Sequence, residues 1–151
     1  MIEYAFTQRG GKSMLVTTKG RYALRMMLNI ASYGTDRKIA LRQVAEEEKI
    51  SLKYLEQLAH SMVEVGLLTS ARGHGGGYAL ARPASEIKIG DILRTAEDGI
   101  TPVVCINSNK ECPDGVDDCA LLDFWKGLNQ IIDEYIDKPT LADMATLREA
   151  E

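Results

Sequence analysis

Histidine is scarce in this chain, occurring only as His60 and His74, and cysteine occurs three times in 151 residues. A cysteine nucleophile needs a base beside it, and neither histidine stands in a plausible place, so a thiol enzyme is disfavoured. Three thiols cannot all pair as disulfides. No stretch approaches the roughly twenty apolar residues of a membrane span, and no charged-then-apolar leader opens the chain. These absences predict a cytoplasmic protein with reduced thiols and no membrane partner.

With 45% apolar and 26% charged residues, the chain can bury one core with an appended arm. Its net charge of -4 is unevenly spread. Residues 14–83 hold ten Lys/Arg against six Asp/Glu, whereas residues 84–151 hold six against fifteen. The first half can face a polyanion and the second cannot. The first thirteen residues show neither periodicity nor a cap, and patterning begins at Met14. Residues 1–13 therefore read as a disordered extension or a mis-assigned start.

The three cysteines, Cys105, Cys112 and Cys119, are seven residues apart, and the intervening Pro113, Gly115 and Asn/Asp residues favour irregular backbone over a helix. A short polar loop (99–120) that gathers three soft ligands suits an iron–sulfur cluster or zinc with one ligand missing. Inert thiols, or a redox disulfide with one spare cysteine, are the alternatives.

Leu24, Met27, Leu28 and Ala31 recur at helical spacing and predict a first helix from about Lys19 to Tyr33, closed by Gly34. Leu41, Val44 and Ala45 mark a second, and Ser51 caps a third that carries Leu52, Leu55, Leu58 and Met62 and ends at Gly66. Two short helices joined by a tight turn make a helix-turn-helix. Leu67–Ser70 and Tyr78–Leu80 then read as strands joined by Arg72-Gly73-His74-Gly75-Gly76-Gly77. This is a wing. A phosphate loop is the competing idea, but the run lacks the Gly-Lys-Ser/Thr ending and does not lead into a helix.

The polar face of the third helix carries Ser51, Lys53, Tyr54, Glu56 and Gln57. Lys53 can contact phosphate or guanine, Gln57 can pair with adenine, and Glu56 can accept from cytosine or stay a solvated charge. Arg72 at the wing tip can enter a narrow minor groove, where the negative potential favours guanidinium. A fourth helix over Ile89, Ile92, Leu93 and Ala96 ends at Asp98-Gly99. Beyond the cysteines, Leu121, Trp125, Leu128, Ile132 and Tyr135 step by four and three along a long helix, a seam suited to a second copy of the chain. Packing on its own domain is the alternative. Pro139-Thr140-Leu141-Ala142-Asp143 predicts a stop and a short capped tail helix. The fold class is thus mainly α with a small β-wing: a winged helix-turn-helix over 14–98, the cysteine loop, and a dimerisation helix with its tail over 121–151.

Thr18-Lys19-Gly20-Arg21-Tyr22-Ala23-Leu24, Ile50 through Leu58, Arg72 through Tyr78, the three cysteines and the following Trp125 resemble the Rrf-two family of bacterial regulators, and among them its iron–sulfur cluster regulators. The resemblance covers about residues 14–145. It implies a homodimer that binds a pseudo-palindromic double-stranded operator and changes affinity or site choice with a cluster, two-iron two-sulfur in preference to four-iron four-sulfur, delivered by the iron–sulfur assembly machinery. It further implies that Cys105, Cys112 and Cys119 are ligands, that Glu56 tunes base discrimination, that Arg72 sits in the minor groove, and that Lys19 and Arg21 join Gly73–Gly77 in the DNA-binding set.

Two departures stand out. Such regulators place five residues between successive cysteines and a histidine three places after the last, whereas here the gaps hold six and that place is Leu122. Relatives that sense nitric oxide use a carboxylate on the first helix of the partner subunit, where this chain has Arg21. Asp123, Asp118 and Glu111 remain as fourth ligands, with Asp123 preferred because it follows the loop on the adjoining helix. Control by thiol oxidation or by a partner protein, without a cluster, is the alternative mechanism.

Overall fold

Thr17 starts the first helix: its hydroxyl accepts a hydrogen bond from the Lys19 amide at 3.2 Å, so the chain enters α1 (Thr18–Ser32) already capped. The computed structural model describes residues 16–103, 106 and 119–149, and residues 1–13 lie outside the described residues. Along α1 the fully buried stripe is Ala23, Met26, Met27 and Ile30, with Leu24, Leu28 and Ala31 partly buried beside it. The buried face is rotated from the predicted one because α1 packs against several elements, and a central helix needs apolar groups on more than one side.

After Gly34, whose φ of 81° reverses the chain, α2 (Leu41–Glu48) and α3 (Leu52–Glu64) form the predicted helix-turn-helix. Lys49 makes the turn in the left-handed region at φ 55°. Ser51 then caps α3 by accepting from the Tyr54 amide at 3.4 Å. Leu55, Leu58, Ala59 and Met62 bury the inner face of α3. Each such side chain contributes about 1.5–3 kcal/mol for the larger residues, enough to hold a helix that would be marginal alone.

The wing is an antiparallel pair, β1 (Leu68–Ala71) and β2 (Gly77–Leu80), in the register Leu68 with Leu80 through Ala71 with Gly77. A feature absent from the sequence reading is a third contact. Ile39 and Tyr78 exchange both backbone hydrogen bonds at 2.8 Å, so the α1–α2 connection lies along β2. Gly77, at φ 146°, lets the backbones meet, since a Cβ there would stand 2.6 Å from the Ile39 carbonyl oxygen.

α4 (Ile89–Glu97) buries Ile89, Gly90, Ile92, Leu93 and Ala96 and stops at Asp98, left-handed at φ 56°. α5 (Leu122–Asp137) buries none of its residues completely. It is fastened to α4 by Arg94, which donates to Asp133 and to both carboxylate oxygens of Asp137. α6 (Leu141–Glu149) starts with a reciprocal cap in which the Thr140 amide and hydroxyl donate to Asp143, and the Asp143 amide donates back. Leu141 is fully buried in the common core, so the tail helix belongs to the same packed body as α1. Six helices and one two-stranded sheet among the described residues make a mainly α, winged fold. Among the described residues no helix is long and apolar enough to cross a membrane.

Candidate nucleic-acid interface and cysteine segment

The start of α3 and the wing present their polar groups outward. Ser51, Lys53, Glu56 and Gln57 are exposed, as are Arg72, Gly73, His74 and Gly75 in the wing loop, while Gly76 and Gly77 are half-buried at its base. Glycine is required at Gly76, where a Cβ would collide with the Ala71 carbonyl oxygen. Tyr54 differs from its neighbours. It is half-buried, its ring meets Tyr22 edge-to-face at 5.6 Å, and burial, followed by the nearby Glu97 and Tyr22, raises its hydroxyl pKa above the ordinary tyrosine range. Its predicted place on a free polar face is therefore shared with packing between α1 and α3.

Lys19 and Arg21 project from the first turn of α1 and are exposed. Lys19 lines a cleft of about 180 Å³ together with Tyr54, Gln57 and Ser61 of α3 and Thr95 and Asp98 at the end of α4. Three elements thus converge beside the outward face of α3. Arg25 and Asn29 lock α1 to the end of α2. Arg25 Nε donates to Glu48 Oε2 at 3.1 Å, and Asn29 Nδ2 donates to Glu47 at 2.8 Å and Glu48 at 3.0 Å. Sequence reading missed both, because polar contacts between helices carry no periodicity.

Of the three cysteines, Cys119 is described. It is half-buried just ahead of α5, and its carbonyl accepts from the Leu122 amide at 3.0 Å. Asp123 is exposed in the first turn of α5. Cys105 and Cys112, with Glu111 and Asp118, lie outside the described residues, and among the described residues no three His, Cys, Asp or Glu side chains gather as a metal-holding group. His60 faces Glu64 on its own helix at 3.3 Å.

On α5, Leu121 and Tyr135 are exposed, whereas Trp125, Leu128 and Ile132 are half-buried. Phe124 and Ile131, not singled out in the sequence, are 62% and 64% exposed and extend the outward apolar line. Their positions follow from Arg94, which turns the Asp133 and Asp137 side of α5 toward α4.

A family model described as Rrf2, iron-dependent transcriptional regulator, matches residues 16–147. The chain belongs to the Rrf2 family. It is therefore a DNA-binding transcriptional regulator and not an enzyme. IscR of Yersinia enterocolitica, an HTH-type transcriptional regulator, is 36% identical over 131 residues, which is 87% of this chain and 79% of that protein. Among solved structures, T. potens IscR matches with a TM-score of 0.69 at 34% identity, covering 91% of this chain and 88% of the other. CymR, the global cysteine regulator of B. subtilis, matches with a TM-score of 0.71 at 33% identity, covering 88% and 97%.

Proposed function

We propose that this chain acts as a homodimer that reads a pseudo-palindromic operator through α3 and the wing, with affinity or site choice set by an iron–sulfur cluster on Cys105, Cys112 and Cys119. The observation that carries the reading is the set of three thiols in one segment between α4 and α5, in a family described as iron-dependent. The donor chemistry fits such a group: soft thiolates, one of them on the half-buried Cys119, with the Asp123 carboxylate four residues on as the fourth ligand. A two-iron two-sulfur cluster is favoured, received from the assembly machinery. When bound, it would supply a redox-sensitive cross-link of the segment.

The chain's own residues supply the rest. Lys53, Glu56 and Gln57 stand on the exposed face of α3 for base edges, and Arg72 stands on the exposed wing loop for the minor groove. Lys19, Arg21, Ser51, Tyr54 and Gly73–Gly77 with His74 complete the DNA face. Leu121, Trp125, Leu128, Ile132 and Tyr135 pair α5 with its copy, so two α3 helices meet successive major grooves. Arg94 ties that pairing helix to the DNA-reading body. A segment with different affinity for its ligand in two dimer arrangements is sufficient for a switch.

Protein purified without oxygen should show visible absorbance with stoichiometric iron and sulfide, absent from a triple Cys→Ser variant. Colourless protein of unchanged DNA affinity would sink the cluster reading. The likeness to Staphylococcus aureus CymR, solved in an oxidized form, favours a second one, in which the same fold is controlled by thiol oxidation without a cluster; control by a partner protein is the other cluster-free alternative.

A further inference from the structure

Glu97 is the last residue of α4, yet its carboxylate is spent on the start of α1, about eighty positions earlier. Oε1 accepts from the Thr17 amide at 2.7 Å, the Thr17 hydroxyl at 2.9 Å and the Gly20 amide at 2.9 Å, and Oε2 accepts from the same hydroxyl at 2.9 Å. Two of the amides that open α1 thus gain a fixed charged acceptor. The fit depends on Gly20, since a Cβ there would stand 2.6 Å from Glu97 Oε1 and 2.6 Å from Val16 Cγ1.

Lys19 lies inside this clasp, between the two residues that the carboxylate holds. It opens into the cleft shared with Tyr54 and Gln57 of α3, and Asp98, next to Glu97, lines the same cleft. A carboxylate beside a basic DNA face is, by charge alone, a cost to binding a polyanion. A compensating role explains its placement.

We infer that Glu97 is a positioning residue for DNA binding: it holds the first turn of α1 so that Lys19 reaches a phosphate beside the groove entered by α3. This rests on the reading of α3 and the wing as the DNA face. The sign of the effect separates positioning from simple charge. Removing Glu97 by charge alone would tighten DNA binding, whereas loss of positioning weakens it.

The test measures affinity for a mixed-sequence DNA duplex across a salt series, because phosphate contacts are independent of sequence. Glu97→Ala should weaken binding several-fold and lower the salt slope by about one, the signature of one lost phosphate contact. Lys19→Ala should do the same in the native background and nothing further in the Glu97→Ala background, since the two act as a unit. Gly20→Ala, which displaces the carboxylate while leaving the charge in place, should reproduce the loss. Glu97→Gln keeps one acceptor oxygen and should retain more affinity than Glu97→Ala. Circular dichroism identifies any variant that fails to fold, and the remaining ones then decide. Glu97→Ala with native or tighter affinity, or a full Lys19→Ala effect in its background, overturns the inference. If Arg72→Ala weakens binding in that case, the DNA face stands and only the role of Glu97 falls. If Arg72→Ala and Lys53→Ala also bind like the native protein, the reading of the DNA face itself falls and takes the inference with it.

Discussion

Arg94 grips Asp137 with a forked guanidinium, Nη1 to Oδ1 at 2.8 Å and Nη2 to Oδ2 at 3.0 Å, and spends the same Nη2 on Asp133 at 2.9 Å. α5 buries no residue completely, and this polar contact fastens it to α4 beside the packing of the partly buried Ile136 against the core. The pair is about one-third exposed. Replacing Arg94 by Ala should therefore cost about 1–2 kcal/mol, below the full value of a buried charged bond, because water screens part of it. Chemical denaturation at neutral pH measures the loss.

The same pair sets an acid dependence. The hydrogen bond from Arg94, opposed by partial burial, holds the Asp137 carboxyl below the ordinary aspartate range. A lowered folded value means that the contribution is complete above about pH 4, the unfolded value, and is lost as pH falls through the folded one. Native protein and Asp137→Asn should therefore differ in stability at pH 7 and converge as the pH drops below the aspartate range. An Asp137→Asn difference that persists unchanged at low pH would contradict the ionic nature of the contact.

At the wing, Arg72→Ala should weaken operator binding by about 1–3 kcal/mol and relax preference at the bases flanking its groove. Fluorescence anisotropy at fixed salt reads this directly. Native affinity in the variant would remove Arg72 from the DNA face.

On α5, a charge placed on the outward apolar line should separate the protomers. Ile131→Glu and Tyr135→Glu alter side chains that are 64% and 77% exposed, so each should leave the fold intact. Sedimentation should then give a monomer for each and a dimer for the native chain. A native chain that sediments as a monomer would refute the pairing.

Gly77→Ala should loosen the wing. The added methyl meets the Ile39 carbonyl oxygen, and φ 146° is strained for any L side chain, for a cost on the order of 1–3 kcal/mol. Amide exchange should rise at Tyr78 and Ile39, and DNA affinity should fall with it.

Much of this architecture was legible in residues that act locally. Ser51 as a cap, Gly34 and Gly66 as stops, and the apolar spacing of Leu55, Leu58 and Met62 each place an element to within a residue or two. What stayed hidden was whatever depends on partners distant in sequence. The stripe Ala23, Met26, Met27 and Ile30 is set by helices on several sides of α1, and the Ile39–Tyr78 pairing has no signal beyond Gly77. Glu97 and Arg94 carry no local mark of their roles, because the sequence names neither Thr17 nor Asp137 as their partner. The exposed polar face of α3 was readable in Ser51, Lys53, Glu56 and Gln57, but the packing of Tyr54 against Tyr22 was not.

Leu141 is fully buried in the same core as α1, and its amide donates to the Ile87 carbonyl at 2.8 Å. That residue leaves the ribosome after the cysteine segment and all of α5. The core of the DNA-reading body therefore cannot be completed on a nascent chain before the cysteine segment has been synthesised. Translation order alone thus delays a finished DNA-reading core until the cysteine segment and α5 exist.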